Sequence, residues 1–424
     1  MSNESQCLIY NAKIFTAISS RGVQASWQSL YLNKGALVIR NGIIVEIGEE
    51  SQINSKFKND QEISRINAAG HLVTPGFVDC HTHPVFNNTR ELEFEMRVGG
   101  ASYVDIAKSG GGIRSSVRDL RAASDEVLYI ALCKRLDRFI EFGTTTVEAK
   151  SGYGLSLKDE IKSLEVIKRA QRLHHCDLIS TFLGAHEIPD EFRFDREGYI
   201  SLVINEMIPA VTENDLATFI DVFCEDHVFS RFESENVLLA GKKMGLRPKV
   251  HADQLQNSGG AELAVEVGAI SADHLEYTPE HLDERLLKAK VVPVLLPGAD
   301  FFLANIHYAP ARRMIENGLP VAIATDFNPG TCMSESMQMM LTLACLQLKM
   351  TPKEALIAAT LHSAMAIGVE KEVGSLEVNK KGDCIIWDAH SVAELPYHFG
   401  VNLVNKVVKA GKLVFSKSVE YENI

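Results

Sequence analysis

Residues 74–83 read TPGFVDCHTH. The run leading into them, residues 71–78, has the β-branched and aromatic content of a buried strand. Side chains two apart on a strand share a face. His81 and His83 therefore aim two imidazoles at one point, a geometry that suits a metal ion. Strand candidates of this kind recur along the chain, at 73–80, 144–149, 177–183, 219–224, 248–251, 269–273, 291–296 and 320–325. Between them lie stretches with apolar positions at helical spacing, such as 159–173 and 233–244. Alternation of strand and helix implies a parallel sheet. Eight such units over about 300 residues predict an α/β chain folded as a (β/α)₈ TIM-like barrel. No GxGxxG follows the first strand, which argues against an open doubly wound sheet.

The two ends of the chain read differently. Apolar runs at 35–39 and 43–47 flank Asn41-Gly42, a hairpin turn signal. Residues 383–388 and 404–414 likewise read as strands separated by turns. Residues 1–72 and 374–424 are therefore expected to build one small β-sandwich domain beside a catalytic barrel of residues 73–373.

The chain has 424 residues, 46% hydrophobic and 23% charged, with a formal net charge of -12. That charge argues against non-specific binding to nucleic acid or anionic membrane and leaves a small molecule as the expected partner. No apolar run approaches the roughly 18 residues that cross a bilayer. The opening MSNESQCLIYNAKIF lacks the basic-then-apolar order of a secretory signal. The eight cysteines form no CxxC pair. They are expected to be reduced packing residues of a cytoplasmic protein.

Active residues of such a barrel sit where strands end. The first strand ends in His81-Thr82-His83, the fifth in His251-Ala252-Asp253-Gln254, the sixth in Ala272-Asp273-His274 and the eighth in Thr325-Asp326-Phe327-Asn328. A single polar residue there marks only a strand-to-loop change, and Asp326 alone reads equally as a helix N-cap. Four such ends in barrel order converge on one mouth. Imidazole and carboxylate without thiolate suit one zinc or iron ion. His81, His83, His251 and Asp326 are the expected ligands, and His274 either binds the ion or holds the water beside it. The fourth strand ends without a lysine that could bridge two ions as a carbamate, so a single ion is expected. A metal lowers the pKa of its water to about 7. With Asp326 and His274 to handle protons, the expected chemistry is hydrolysis at a carbonyl or amidine carbon.

Other residues fall on loops above the same mouth. Arg90 has the planar fork that suits a carboxylate. Tyr153 lies between Gly152 and Gly154, which let a loop approach a ligand closely. His186 ends the third strand. The turn Asn328-Pro329-Gly330-Thr331 offers amides and a hydroxyl to an anion, or is an ordinary turn. Gln254 can donate and accept but cannot shuttle protons, which counts against a ring deaminase.

The passages PGFVDCHTHPVF, RELEFEMRVGGASYVDIAKSGGGI, AKSGYGL, TFLGAHEIP, KVHADQL, GGAELAVEVGAISADHLEY and ATDFNPGT, in this order, resemble the imidazolonepropionase family of the amidohydrolase superfamily. The resemblance covers nearly the whole chain. It implies that water opens 4-imidazolone-5-propanoate to N-formimino-L-glutamate, the third step of histidine degradation, in a cytoplasmic homodimer carrying one zinc or iron ion. It implies metal ligands at His81, His83, His251 and Asp326. It implies substrate contacts at Arg90, Tyr153, His186 and Gln254, product-side contacts at Asn328, Gly330 and Thr331, and water activation at His274. Some members carry glutamate where this chain has Gln254. Pro84 and Asn87-Asn88 also depart from the more usual apolar residue and glycines after HTH. The rival readings are another mononuclear amidohydrolase, a cyclic amide hydrolase or deaminase, and a metal-free binding scaffold.

Overall fold

The computed structural model describes residues 6–18, 31–58, 60–101 and 110–417. The motif running from Arg90 to Ile113 therefore lies partly outside the described residues, at 102–109.

Among the described residues, eight parallel strands form the predicted barrel sheet. The terminal segments supply β1 (Gln6–Phe15), β2 (Tyr31–Arg40), β3 (Ile43–Glu49), β4 (Ser64–Asn67) and β5 (Leu72–Pro75). The barrel follows with β6 (Phe77–Asp79), β7 (Thr144–Lys150), β8 (Asp177–Ala185), β9 (Phe219–Cys224), β10 (Arg247–Ala252), β11 (Ser271–His274), β12 (Val292–Leu295) and β13 (Ala322–Ile323). The chain ends in β14 (Cys384–Trp387), β15 (Val404–Lys409) and β16 (Lys412–Ser416). The barrel strands pair in sequence order from β6 to β13. A parallel bridge between Thr82 and Phe327 then joins the two ends, with Asp326 N donating to His81 O at 3.1 Å and His83 N to Phe327 O at 2.9 Å. The backbone that closes the ring thus carries three of the expected ligands.

The helices follow local rules. The helix Leu157–Leu173 starts at Ser156, whose hydroxyl accepts from Asp159 N, and buries Leu164, Ile167 and Ala170 toward the barrel core. The helix Arg231–Lys243 opens with a Ser230–Glu233 capping box, which satisfies two otherwise orphaned amides.

The terminal segments meet in one mixed sheet, ordered β16-β15-β14-β5-β1-β2-β3 with β4 on β1. One face gathers Cys7, Ile9, Leu37, Val73, Cys384, Ile386 and Val408 into a core of its own. The alternate residues Leu72, Ile385, Trp387 and Val407 join Phe77 and Phe139 in the barrel's outer core. This is the period-two logic of a sheet buried on both faces.

The apolar run expected as one strand at 73–80 divides at Gly76. Its first half belongs to the terminal sheet as β5 and its second half to the barrel as β6. Gly76 N donates to Asp383 O at 3.0 Å, and a Cβ on Gly76 would lie 2.3 Å from Thr145 Oγ1 and 2.6 Å from its Cγ2. Thr145 is β-branched and stiff, so Gly76→Ala is expected to destabilise the fold by about 1–3 kcal/mol. Urea unfolding reads this directly; a variant as stable as the parent would show that the junction yields.

All eight cysteines are free, as expected. No helix among the described residues is long and apolar enough to cross a membrane.

Candidate functional site

The barrel's inward-facing positions are charged rather than apolar. Glu148 and Lys150 on β7, Asp221 on β9, Lys249 on β10 and Asp273 on β11 are all fully buried. Lys150 Nζ lies 2.8 Å from Glu148 Oε1, 2.7 Å from Asp221 Oδ2 and 3.9 Å from Asp273 Oδ2. Lys249 Nζ sits 3.3 Å from Glu148 Oε1 and 3.6 Å from Asp273 Oδ2, and donates to Cys80 O at 3.0 Å. Burial alone would drive the proton off Lys150; Asp221, Glu148 and Asp273 outweigh burial and hold its pKa above the ordinary lysine value. Three carboxylates against two ammonium groups leave this layer one negative charge in surplus.

The histidines rest on that layer. His81 Nδ1 is 2.6 Å from Asp273 Oδ2, and His251 Nδ1 is 3.0 Å from Asp221 Oδ2. Register explains the first contact: His251 pairs with Asp273 across β10 and β11, which brings that carboxylate to the level of the imidazoles. At His81 the carboxylate bonded to Nδ1 fixes the tautomer and turns the Nε2 lone pair outward. His81 Nε2 then lies 3.3 Å from His83 Nε2, and Asp326 Oδ1 lies 3.5 Å from the first and 3.6 Å from the second. Nε2 of His251 is buried and has no hydrogen-bond partner among the described residues, and its ring centroid is 4.4 Å from that of His81.

Lone pairs facing one another in a buried space repel unless a cation joins them. One ligand atom from each of His81, His83 and Asp326 lies within 4.8 Å of the others, and the same holds for His81, His251 and His274. These residues fit a divalent metal ion. Asp326 and His274 both adopt positive φ, 53° and 83°, a conformation costly for side-chain-bearing residues and common where function demands a fixed direction.

His274 stands at the rim of the cluster, its ring centroid 5.4 Å from that of His251. Its Nδ1 is 3.6 Å from Glu276 Oε1. Burial lowers its pKa, but Glu276, Asp326 and Asp300 outweigh burial and hold it up at about 9. A dication held by these residues would oppose those carboxylates and push the value back down.

The expected substrate residues ring the same mouth. His186 stacks on His83, with centroids 5.1 Å apart and planes 18° from parallel. Burial, reinforced by the His251 ring, brings its pKa down to about 3. Its Nδ1 therefore donates to Gly152 O at 2.8 Å as part of a neutral ring, and Nε2 is left as an acceptor. Tyr153 is buried, 5.4 Å from the His186 ring and 6.1 Å from His83. Arg90 donates from Nε and Nη2 to Glu93 Oε2 at 2.9 and 2.6 Å. Its Nη1 packs over Gly330, only 2.4 Å from where a Cβ would stand.

Asn328 is spent internally. Its Oδ1 accepts from Gly330 N at 2.8 Å and Thr331 N at 2.7 Å, and its Nδ2 donates to Asp326 O at 2.6 Å. Thr331 Oγ1 donates to Asp326 Oδ2 at 3.2 Å. The turn thus holds Asp326 in place, and the amides expected to face an anion already have a partner. Gln254 is half-buried after β10, its backbone N donating to Glu225 Oε1 at 2.8 Å. Its side chain joins none of the ring contacts described above.

The buried charged layer escaped the sequence reading. Its signal was there as period-two charge inside apolar strands: Glu148-x-Lys150, Lys249-x-His251 and Ser271-x-Asp273.

The amidohydrolase family model matches residues 235–414. The chain is 48% identical over 387 residues to imidazolonepropionase of Geobacillus thermodenitrificans (strain NG80-2), covering 91% of each. It is 49% identical over 381 residues to imidazolonepropionase of Symbiobacterium thermophilum, covering 90% of each. Among solved structures it resembles 5-methylcytosine deaminase from Klebsiella pneumoniae, with a TM-score of 0.75 at 17% identity, covering 98% of this chain and 99% of that one. It also resembles a zinc-bound adenosine deaminase from Xanthomonas campestris, with a TM-score of 0.70 at 18% identity, covering 96% and 92%. At such identities the likeness to these structures is one of fold.

Proposed function

The chain belongs to the imidazolonepropionase family of amidohydrolases, and from that membership we propose how its residues divide the work. The enzyme hydrolyses the cyclic amide C–N bond of 4-imidazolone-5-propanoate to give N-formimino-L-glutamate, in histidine degradation. One divalent cation held by His81, His83, His251 and Asp326, zinc or iron, would acidify water and polarise the ring carbonyl.

Asp326 faces the imidazole pair with Oδ1 and is steadied at Oδ2 by Thr331. Asp326 and His274 together take the proton from the attacking water and return it to the ring nitrogen as the C–N bond breaks. The water oxygen stays on the former carbonyl carbon, and the bond's electron pair leaves with the nitrogen. His186, its Nδ1–H committed to Gly152 O, turns an acceptor toward the substrate ring. Tyr153 closes the pocket beside it, and Gln254, in the loop after β10, is the remaining substrate contact. Asn328, Gly330 and Thr331 form the product-side wall.

Arg90 receives the propanoate. Glu93 holds the Nε–Nη2 edge of its guanidinium, and Nη1 stands over Gly330, where it would meet the anion. A charge-assisted hydrogen bond is worth about 1.5–3 kcal/mol. Arg90→Ala is therefore expected to raise KM about 10- to 100-fold with kcat little changed, read from the loss of substrate ultraviolet absorbance. An unchanged KM in a folded variant removes Arg90 from this role.

One observation carries the assignment: the ligand atoms of His81, His83 and Asp326 meet within 3.6 Å at the mouth that Tyr153, His186 and Arg90 surround. Elemental analysis of the purified protein tests it, one zinc or iron per chain being the expected result. A composite β domain of residues 1–72 and 374–424, beside a barrel of 73–373, accords with a sheet drawn from both ends of the chain. Cytoplasmic residence fits eight unpaired cysteines. A net charge of -12 disfavours nucleic acid and membrane partners. The homodimer rests on the family resemblance.

A further inference from the structure

Glu160 is fully buried in the first turn of helix Leu157–Leu173 and plays no part in the reaction above. Its carboxylate accepts from three backbone amides of one loop. Gly152 N lies 3.2 Å from both oxygens; Gly154 N and Leu155 N lie 2.8 and 2.9 Å from Oε1. The carbonyls of the same loop are taken from the other side. Arg121 donates from Nε to Gly154 O at 2.7 Å and from Nη2 to Leu155 O at 2.9 Å.

The loop has no slack. A Cβ on Gly154 would stand 2.4 Å from the Asp159 carbonyl carbon and 2.5 Å from Glu160 N. Gly152 has φ +108°, and a Cβ there would stand 2.9 Å from His186 Nδ1. Gly152 O is the acceptor that sets the His186 tautomer, and Tyr153 is the residue between the two clamped glycines. Residues 151–155 are all buried, so the amides of this loop need partners, and a single carboxylate supplies three of them with charge-assisted bonds.

We propose that Glu160 is a positioning residue that aims Tyr153 and the acceptor face of His186 at the substrate. The proposal rests on the reading of Tyr153 as a substrate contact. In Glu160→Gln the amide oxygen can keep the Oε1 place with Gly154 N and Leu155 N, but the NH₂ group then stands against Gly152 N and all three bonds lose their charge assistance, so the Gly152 end of the loop shifts. A displacement of about 1 Å at a substrate-facing group costs between about tenfold and a hundredfold.

Steady-state kinetics and metal content of E160Q, Tyr153→Phe and the double variant test this, with Glu160→Asp in parallel. Aspartate keeps the buried charge but withdraws it by one methylene. Expected are a KM raised at least about tenfold in E160Q and in the same direction in Glu160→Asp, unchanged metal content, and a double variant whose KM rises by clearly less than the product of the two single effects, because the share of the Glu160 effect carried through Tyr153 is already lost. A KM raised by Tyr153→Phe but unmoved by both Glu160 variants overturns the positioning role alone. So do effects that simply multiply in the double variant. An unmoved KM in Tyr153→Phe overturns the substrate contact, and the positioning role with it.

Discussion

His251→Ala is expected to lose the metal ion and the activity together. The imidazole enters the cluster from β10 with both ring nitrogens buried and without a hydrogen-bond partner among the described residues, Nδ1 lying 3.0 Å from Asp221 Oδ2. Alanine removes that donor and leaves Asp221 beside Lys150 alone. A bound ion moves the pKa of water from about 15.7 to about 7, so its loss is expected to lower kcat/KM on the order of 10³-fold or more. Elemental analysis and kinetics read the two effects independently. Full metal content in a folded His251→Ala protein would remove His251 from the ligand set, whatever the activity.

The second large effect lies beneath the site. Lys150→Met is expected to destabilise the protein by about 3–5 kcal/mol, the usual consequence of removing one partner from a buried ion pair. Lys150 touches Glu148 and Asp221 in a space with no exposure. Without it Glu148 keeps Lys249 at 3.3 Å and the Thr181 hydroxyl, while Asp221 keeps no ammonium partner among the described residues and is left with the Val222 and His251 backbone amides at 2.8 and 3.2 Å. Methionine matches the length of lysine, so packing is preserved and the loss reports charge. Urea unfolding of parent and variant measures it. A loss below about 1 kcal/mol would mean that the layer relaxes or takes in water, and that its role in orienting His251 and His81 is overstated.

The two variants probe one device at two depths. The carboxylates of Asp221 and Asp273 serve the histidines above them and the lysines beside them. Surplus negative charge under a ring of imidazoles favours a cation in the ring, and the lysines limit the repulsion among the carboxylates themselves. The same geometry explains why a barrel core, ordinarily packed with branched apolar residues, here holds ammonium and carboxylate groups.

Much of the fold was legible because its signals are local. Strand β9 falls where the apolar run predicts it, at 219–224, and the helix expected at 159–173 begins two residues earlier, at Leu157, directly after its Ser156 cap. Local period and capping decide such elements without help from distant residues. The placement of the proposed ligand histidines at strand ends was legible for a related reason: a polar residue that ends an apolar strand has its position fixed by the strand. The split at Gly76 was not legible, because an apolar run looks the same whether one sheet or two sheets claim it. Glu160 was hidden because its partners are backbone amides, which every residue offers.

By itself, then, the sequence determined the alternation of elements and the identity of the donors at the strand ends, since both are written in the spacing of side chains along the chain. Only the tertiary structure decided which donors converge, which carboxylate stands behind each imidazole, and that Asn328 holds the Gly330 and Thr331 amides. Those are matters of strand register and ring closure, set by contacts such as His251 to Asp273 and Thr82 to Phe327 between residues far apart in the chain. No local period encodes such a contact, because its energy exists only once the sheet has closed.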